Sequence, residues 1–275
     1  MKNIHKTVIL TLMFVLLFCG CNAELAQDTS VNDGGIAFTD TVKPESDDVS
    51  DNSSDSGESA YTDAEYDYLL VSLADGLNIR TGPGTQYKSV GSINKGDAVA
   101  LIGGPSDGWY ETVYRQSRCY VSSAFTDVLR FEKASERVEA VIETGKTLSG
   151  YPYVWGSQRY HFGNGVLNDK FVQGEYDCSA LTQYVYYVGA GINLNMTTRT
   201  QVSQGDYVAS ENLRRGDLMF FTNSSRQNYS GTERIGHVAI YLGNNYILHT
   251  ASDYAVIEQI SSLRWSYYIT ARRMI

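Results

Sequence analysis

Cys178 and two histidines, His237 and His249, are the residues of this sequence whose chemistry suits nucleophilic catalysis. A cysteine thiolate attacks acyl carbons, but it needs a base that accepts and returns its proton and a polar group that orients the base. Of the four histidines, His5 lies in the N-terminal leader, which leaves His161, His237 and His249 as candidates. Each residue alone is more often structural, so the hypothesis of a nucleophile, base and orienter depends on the set.

The segment after Cys178 has the pattern of a helix packed on a core. Its apolar residues recur at i, i+4 and i+7: Leu181, Val185 and Val188. This places Cys178 in the first turn, where the helix dipole and unpaired N–H groups favour the thiolate. The polar neighbours Asp177 and Ser179 argue against a cysteine buried in an apolar core.

The two histidines lie on two alternating runs, 236–243 and 246–250, which are separated by Asn244-Asn245. Two asparagines between such runs predict a tight β-hairpin. Antiparallel pairing of the two strands would bring His237 and His249 near one another.

The elements around these residues predict an α+β domain. Helical spacing of apolar residues between 138 and 148 precedes the Cys178 helix, and strand-like runs follow at 218–221, 237–242 and 246–250. Helices first and strands afterwards indicate an antiparallel sheet packed against helices.

Five motifs in this region resemble, in order, those of the NlpC/P60 cysteine peptidases. They are Tyr151–Gly156, Asp177–Ser179, Gly216–Phe221, Gly236–Gly243 and Ile247–Thr250. The resemblance covers residues 133–275 and implies a papain-like α+β catalytic domain. It implies that Cys178 is the nucleophile, His237 the base and His249 the polar third member. It further implies that Asp177 and Ser179 contact the bound peptide and that Tyr153 and Trp155 line the groove.

The chain departs from the family pattern in three places. Met196-Thr197-Thr198 stands where another tripeptide is usual, and Ser157 and Ala180 stand where glycine is common. The loop formed by residues 158–175 is also longer than usual.

Residues 68–129 have a different sequence pattern. Short runs in which apolar and polar residues alternate are separated by glycine and proline, which predicts a small β-barrel. Four runs carry a resemblance to the bacterial SH3 domain: Leu77–Gly84, Gly91–Asp97, Gly108–Tyr110 and Tyr120–Ser123. That family accompanies cell-wall enzymes, either as a wall-binding module or as one wall of the active site. Cys119 has the character of a small core hydrophobe.

The N-terminus predicts export. Lys2 and Lys6 precede an uncharged run, residues 8–20, which suits a signal peptide rather than a spanning helix of about 20 residues. Gly20-Cys21 resembles a bacterial lipobox, which implies a signal peptide over residues 1–21 and a lipid on Cys21. An ordinary cleaved signal peptide is the alternative.

The acidity of the chain is concentrated in one segment. Residues 22–67 hold 13 acidic residues and one basic residue, Lys43, without an apolar period, which predicts a disordered spacer. Residues 68–275 hold 18 acidic and 19 basic residues and no basic stripe, so nucleic acid is not an expected partner.

The resemblance implies a peptidoglycan hydrolase that cuts stem peptides, most often between γ-D-glutamyl and a diamino acid. The alternatives are an N-acetylmuramoyl-L-alanine amidase and a noncatalytic wall-binding lipoprotein. No metal or nucleotide motif is present, so we expect no cofactor and no metal site. We expect a monomer anchored to the cell envelope.

The short connection between residues 129 and 133 predicts that the barrel packs on the peptidase. Asp177 then has two possible roles: it caps the Cys178 helix, or it pairs with the ammonium group of a peptide with a free amino terminus.

Overall fold

The structure, a computed structural model, describes residues 64–250 and 253–275. The predicted signal peptide, the lipidation site Cys21 and nearly all of the acidic spacer lie outside the described residues. None of the helices in the described part of the chain has the length and apolar character needed to cross a bilayer.

The N-terminal part is all β, with strands β1 (Tyr66–Ser72), β2 (Leu77–Arg80), β3 (Ser89–Ile93), β4 (Asp97–Ala100), β5 (Gly103–Ser106), β6 (Trp109–Tyr114), β7 (Ser117–Ser122) and β8 (Thr126–Glu132). Five of these strands form one sheet in the order β3-β2-β7-β6-β5. Ile79, Val99, Cys119 and Val121 are buried in the core of this barrel. The prediction that Cys119 is a core residue is therefore confirmed.

The C-terminal part carries the helices α1 (Glu136–Lys146), α2 (Cys178–Ala190), α3 (Thr198–Gln201) and α4 (Ser262–Ser266), together with strands β9 (Asp206–Val208), β10 (Leu218–Phe221), β11 (His237–Gly243), β12 (Tyr246–Thr250), β13 (Ala255–Gln259) and β14 (Tyr268–Arg273). The helix α1 begins where the side chain of Ser135 accepts a hydrogen bond from the N–H of Val138. The helix α2 ends at Gly191, whose φ of 69° is the left-handed conformation that glycine adopts readily. The predicted α+β class is confirmed.

The barrel and the C-terminal part share one sheet. Nine strands run in the order β8-β1-β4-β13-β12-β11-β10-β14-β9, and the junction is the antiparallel pairing of β4 with β13. Strands β1 and β4 therefore bury both faces. Leu69 and Ala98 belong to the core of the C-terminal part, whereas Leu70 and Val99 belong to the core of the barrel. Side chains alternate along a strand, so adjacent residues serve two different cores.

Buried charges also connect the two parts. Asp67 on β1 lies 2.6 Å from Lys146 on α1 and also pairs with Arg215, which precedes β10. Arg215 binds Glu139 of α1 at 2.8 Å. Each of these side chains is at least 89% removed from solvent, so each charge depends on its partners.

Two details differ from the sequence-based expectations. Strand β1 begins at Tyr66, so Asp67, placed by the sequence in the spacer, is a buried strand residue. Val188, expected on the core face of the helix, is 46% exposed, whereas Tyr184 and Tyr186 are buried. The rings of Tyr184 and Tyr186 therefore make the core contacts that the spacing of aliphatic residues predicted for Val188.

Candidate active site

The predicted hairpin brings the two histidines together. Asn244 and Asn245 have φ values of 48° and 63°, the pair of positive angles of a type I′ turn. In the resulting register Ile240 faces Leu248, which places His249 diagonally opposite His237 on the same face of the sheet. His237 Nε2 lies 2.8 Å from His249 Nδ1, and the two rings meet edge to face.

A carboxylate on the next strand extends this pair. Since His249 pairs with Val256, Glu258 lies one diagonal step further along the same face. Its Oε1 is 3.1 Å from His249 Nε2, close enough for an ion pair although the alignment is poor for a hydrogen bond. Arg264 Nε donates to the same carboxylate oxygen at 3.0 Å. The line His237, His249, Glu258 thus crosses three adjacent strands and ends on a guanidinium.

Charge around Glu258 determines its protonation state. Burial alone would raise the pKa of Glu258, but the positive charges at His249 and Arg264 outweigh it and lower the pKa to about 2. His249 itself has a pKa below its usual value, because burial of the ring outweighs the opposing effect of Glu258. At neutral pH the partner that keeps Glu258 ionised is therefore Arg264.

Cys178 is the first residue of α2, as predicted. The expectation that its polar neighbours keep it out of an apolar core is wrong, because only 8% of Cys178 is exposed and it belongs to the same core cluster as Leu181 and Val185. The backbone N–H groups of Val238 and Ser179 stabilise its sulfur, which places the thiol beside the start of β11. The helix terminus acts in the expected direction, because the N–H of Ser179 in the first turn lowers the pKa of Cys178, but larger effects outweigh it. Burial first, and the adjacent carboxylate of Asp177 second, raise the pKa of the Cys178 thiol to about 12.

His237, at the first position of β11, is half-buried. Burial, followed by the neighbouring His249 and Arg264, lowers its pKa well below the usual value. Both pKa shifts favour the uncharged forms of the Cys178 thiol and the His237 imidazole at neutral pH.

Asp177 has the role of a helix cap. Its Oδ1 accepts from the N–H of Ala180 at 2.8 Å and from the hydroxyl of Ser179 at 3.1 Å. Its Oδ2 accepts from Arg159 Nη2 at 2.9 Å and from the N–H of Gly156 at 3.3 Å. The capping interpretation is the one that this geometry matches.

Gln201 holds the start of α2 in place. Its side chain is fully buried and donates to the carbonyl groups of Ser179 and Asn195, at 3.0 and 2.9 Å, while its oxygen accepts from Thr182. A buried amide with both ends satisfied holds the first turn of α2 in one position.

The expected groove residues precede the helix. Tyr153 bridges to Tyr176, directly before Asp177, and Val154 donates to the carbonyl of Tyr176 at 3.0 Å. Trp155 is 80% exposed, so its indole ring is available to a ligand. Both residues therefore lie on the segment that pairs with the chain leading into Cys178.

Sequence reasoning missed Glu258 and Arg159. Glu258 could have been noticed as an acid in the alternating run 255–259, but only the register places it beside His249. Arg159 lies in the long loop, where no periodicity indicates which side chain turns inward.

Comparison with known proteins gives the same assignment for both parts of the chain. Residues 150–274 match the model of the NlpC/P60 family, and residues 75–127 match that of the bacterial SH3 domain. The chain is 34% identical over 132 residues to the peptidoglycan DL-endopeptidase CwlO of Bacillus licheniformis, covering 46% of this chain and 26% of that protein. It is 29% identical over 218 residues to the gamma-DL-glutamyl hydrolase of Bacillus subtilis, covering 75% of this chain and 48% of that protein. The chain thus spans less than two thirds of the length of either relative. A crystal structure of an NlpC/P60 family protein from Bacillus cereus aligns over 75% of this chain and 63% of that one, with 20% identity and a TM-score of 0.40.

Proposed function

Since the chain carries an NlpC/P60 domain behind a bacterial SH3 domain, we propose that it is a cysteine endopeptidase that cleaves the stem peptides of peptidoglycan. The observation that carries this proposal is the 2.8 Å contact between His237 and His249, because His237 is the first residue of β11 and the N–H of the next residue, Val238, reaches the sulfur of Cys178. A nucleophile, a base and an oriented second histidine are the parts that acyl transfer needs.

The tautomers of the two histidines follow from their contacts. If His237 is to accept the thiol proton on Nδ1, its Nε2 must carry hydrogen and donate to His249 Nδ1. His249 then carries its own hydrogen on Nε2, which faces the carboxylate of Glu258. This arrangement orients the base and stabilises the imidazolium that forms when His237 takes the proton.

The reaction follows from these positions. The sulfur of Cys178 attacks the acyl carbon while its proton moves to His237, and the same proton is then delivered to the departing amine. Water, activated by His237, releases the acyl group from the sulfur. We expect the backbone N–H of Cys178, at the start of α2, to bind the oxyanion, because the first N–H groups of a helix have no partner within it.

For the substrate we propose the bond between γ-D-glutamyl and a diamino acid. Support comes from three relatives: a peptidoglycan DL-endopeptidase, a gamma-DL-glutamyl hydrolase and, in Bacillus cereus, a gamma-D-glutamyl-L-lysine dipeptidyl-peptidase that is 30% identical over 139 residues. An amidase that cuts before L-alanine is the competing activity.

The test is digestion of purified peptidoglycan by residues 22–275, with the products identified by mass spectrometry. The proposal expects products that end in γ-D-glutamate and products that begin with the diamino acid. Release of intact stems from the glycan would instead identify an amidase. No product, from a protein that melts cooperatively, would favour a noncatalytic wall-binding role.

We propose further that the protein acts outside the cytoplasm from a lipid anchor on Cys21. Labelled palmitate should be incorporated into the full chain and not into Cys21→Ser. Label that persists in Cys21→Ser would exclude that attachment site.

A further inference from the structure

The guanidinium of Arg159 pairs with the carboxylate of Asp177, the group considered above as a partner for a substrate ammonium group. We propose that Arg159, supplied by the loop 158–175, is a specificity-determining residue that directs the enzyme to stems whose alanine nitrogen is acylated, as it is in stems still attached to glycan. The inference rests on the proposed function, and it concerns which stems reach Cys178.

The first argument is the hydrogen-bond capacity of Asp177. An ionised carboxylate has about four acceptor positions. In this structure four donors already reach Asp177: the N–H of Ala180, the hydroxyl of Ser179, the N–H of Gly156 and the guanidinium of Arg159. The carboxylate therefore has neither a free lone pair nor an unpaired charge for an incoming ammonium group.

The second argument is how firmly Arg159 is held. Its Nη2 donates to Asp177 and to Ser179 Oγ, the latter at 3.0 Å, and its Nη1 donates to the carbonyl of Ser157 at 2.6 Å. Its Nε donates to the carbonyl of Met196. Only 11% of the Arg159 side chain is exposed, so this is a buried ion pair, unlike the solvent-exposed pairs that contribute little to stability.

The loop that carries Arg159 is itself anchored. Asn168 Nδ2 donates to the carbonyl of Arg159 at 2.9 Å, and the N–H of Asn168 donates to the carbonyl of Tyr160. The ring of Tyr160 packs on Tyr184 and Tyr187 of α2, with centroid distances of 5.1 and 5.5 Å. The guanidinium is therefore positioned by the same helix that positions Cys178.

The consequence depends on the charge of the substrate. In the proposed reaction the alanine lies on the acyl side of the bond that is cut, the side held next to Cys178 and its neighbour Asp177. An alanine with a free amine brings a second cation toward Arg159, and like charges in a partly desolvated site repel. An acylated alanine is neutral. It also offers a carbonyl to the N–H of Nη1, since four of the five guanidinium N–H groups are already engaged.

The test compares kcat/KM for the tripeptide L-Ala-γ-D-Glu-diamino acid with and without an N-acetyl group, using residues 22–275. The wild type should prefer the acetylated peptide by about tenfold or more. Arg159→Gln, which removes the charge, should bring the ratio of the two rates close to one or reverse it. Arg159→Lys should keep most of the preference, because it retains the positive charge although it cannot make all four contacts.

The matched control is Arg118→Gln, which removes an arginine whose side chain is 67% exposed and pairs with Glu111 on the barrel. This control should leave the ratio unchanged. Melting curves identify any variant that fails to fold, and in that case the wild-type ratio and Arg159→Lys decide the question. Equal rates of the wild type on the two peptides, or faster cleavage of the free amine, would overturn this inference and leave the proposed function intact. Cleavage of neither peptide would instead reject the proposed function, and this inference with it.

Discussion

Glu258 and Asp97 lie directly opposite one another where β13 of the C-terminal part pairs with β4 of the barrel. Burial raises the pKa of Asp97 to about 6, with Asn94 opposing and the negative charge of Glu258 adding to the effect. The strand that presents a carboxylate to His249 is therefore the strand that joins the two parts of the molecule. The position of Glu258 beside His249 therefore depends on the pairing of β13 with a strand of the barrel.

Substitution of Cys178 and of Cys119, the two cysteines in the described part of the chain, tests which residue is the nucleophile. Cys178→Ala should abolish wall digestion with little change in the melting curve, because the thiol is the attacking group. Cys119→Ala should keep activity, since Cys119 lies in the barrel core with no role in the site. The measurement is release of muropeptides, with melting followed by circular dichroism. Activity lost in the Cys119 variant and kept in the Cys178 variant would contradict the assignment.

The line of residues behind Cys178 predicts graded losses. His237→Ala should lower kcat by about 100- to 10,000-fold, the usual contribution of a general base. His249→Gln and Glu258→Gln should retain more activity, because these residues orient and stabilise the base rather than move the substrate's proton. His161→Gln is the control, since this buried histidine contacts Tyr187 instead of the site. Full activity in both His237→Ala and His249→Gln would reject the histidine pair.

The pKa of Cys178 predicts how the thiol reacts in the free enzyme. Since burial and Asp177 raise that pKa to about 12, alkylation by iodoacetamide should be slow at pH 7 and rise continuously toward pH 10. The measurement is modification followed by mass spectrometry in the Cys119→Ala background. A rate that reaches its plateau below pH 7 would indicate a preformed thiolate and imidazolium pair instead.

The histidines predict a pH dependence of folding stability. Their pKa values are lowered in the folded state, so the unfolded chain binds protons first as the pH falls below 6.5. Stability should therefore decrease from pH 6.5 downward, by up to about 1.4 kcal/mol per pH unit for each histidine. The double variant His237→Gln, His249→Gln should show a flatter dependence in urea titrations. Identical slopes in the two proteins would contradict the lowered pKa values.

The buried charges at the junction predict a large effect of one substitution. Asp67→Asn removes the carboxylate that Lys146 and Arg215 share, although Lys146 keeps Glu143 and Arg215 keeps Glu139, so the free energy of unfolding should fall by about 3 kcal/mol, the low end for a broken buried pair. Glu111→Gln is the control, because its partner Arg118 is exposed and such pairs contribute about 0 to 1 kcal/mol. Equal, small losses in the two variants would show that the junction does not depend on Asp67.

Local sequence patterns predicted much of this structure. The hairpin at Asn244-Asn245 requires two residues that tolerate positive φ, and its register follows from the alternation of the strands, so the approach of His237 to His249 could be predicted. The start of α2 at Cys178 was likewise encoded by Asp177 and the apolar spacing after it. These features depend on neighbours along the chain, which is why a sequence determines them.

Other features depended on residues distant in sequence. The pairing of β13 with β4, the contact of Glu258 with His249 and the reach of Arg159 to Asp177 have no local signature, because loop closure and strand register decide them. The protonation of Cys178 is the sharpest case. The sequence indicated a helix terminus that favours the thiolate, but burial and the carboxylate of Asp177 raise the pKa instead. Desolvation exists only once the chain has folded, so the sequence by itself determined which groups could react, and the tertiary structure decided their charge.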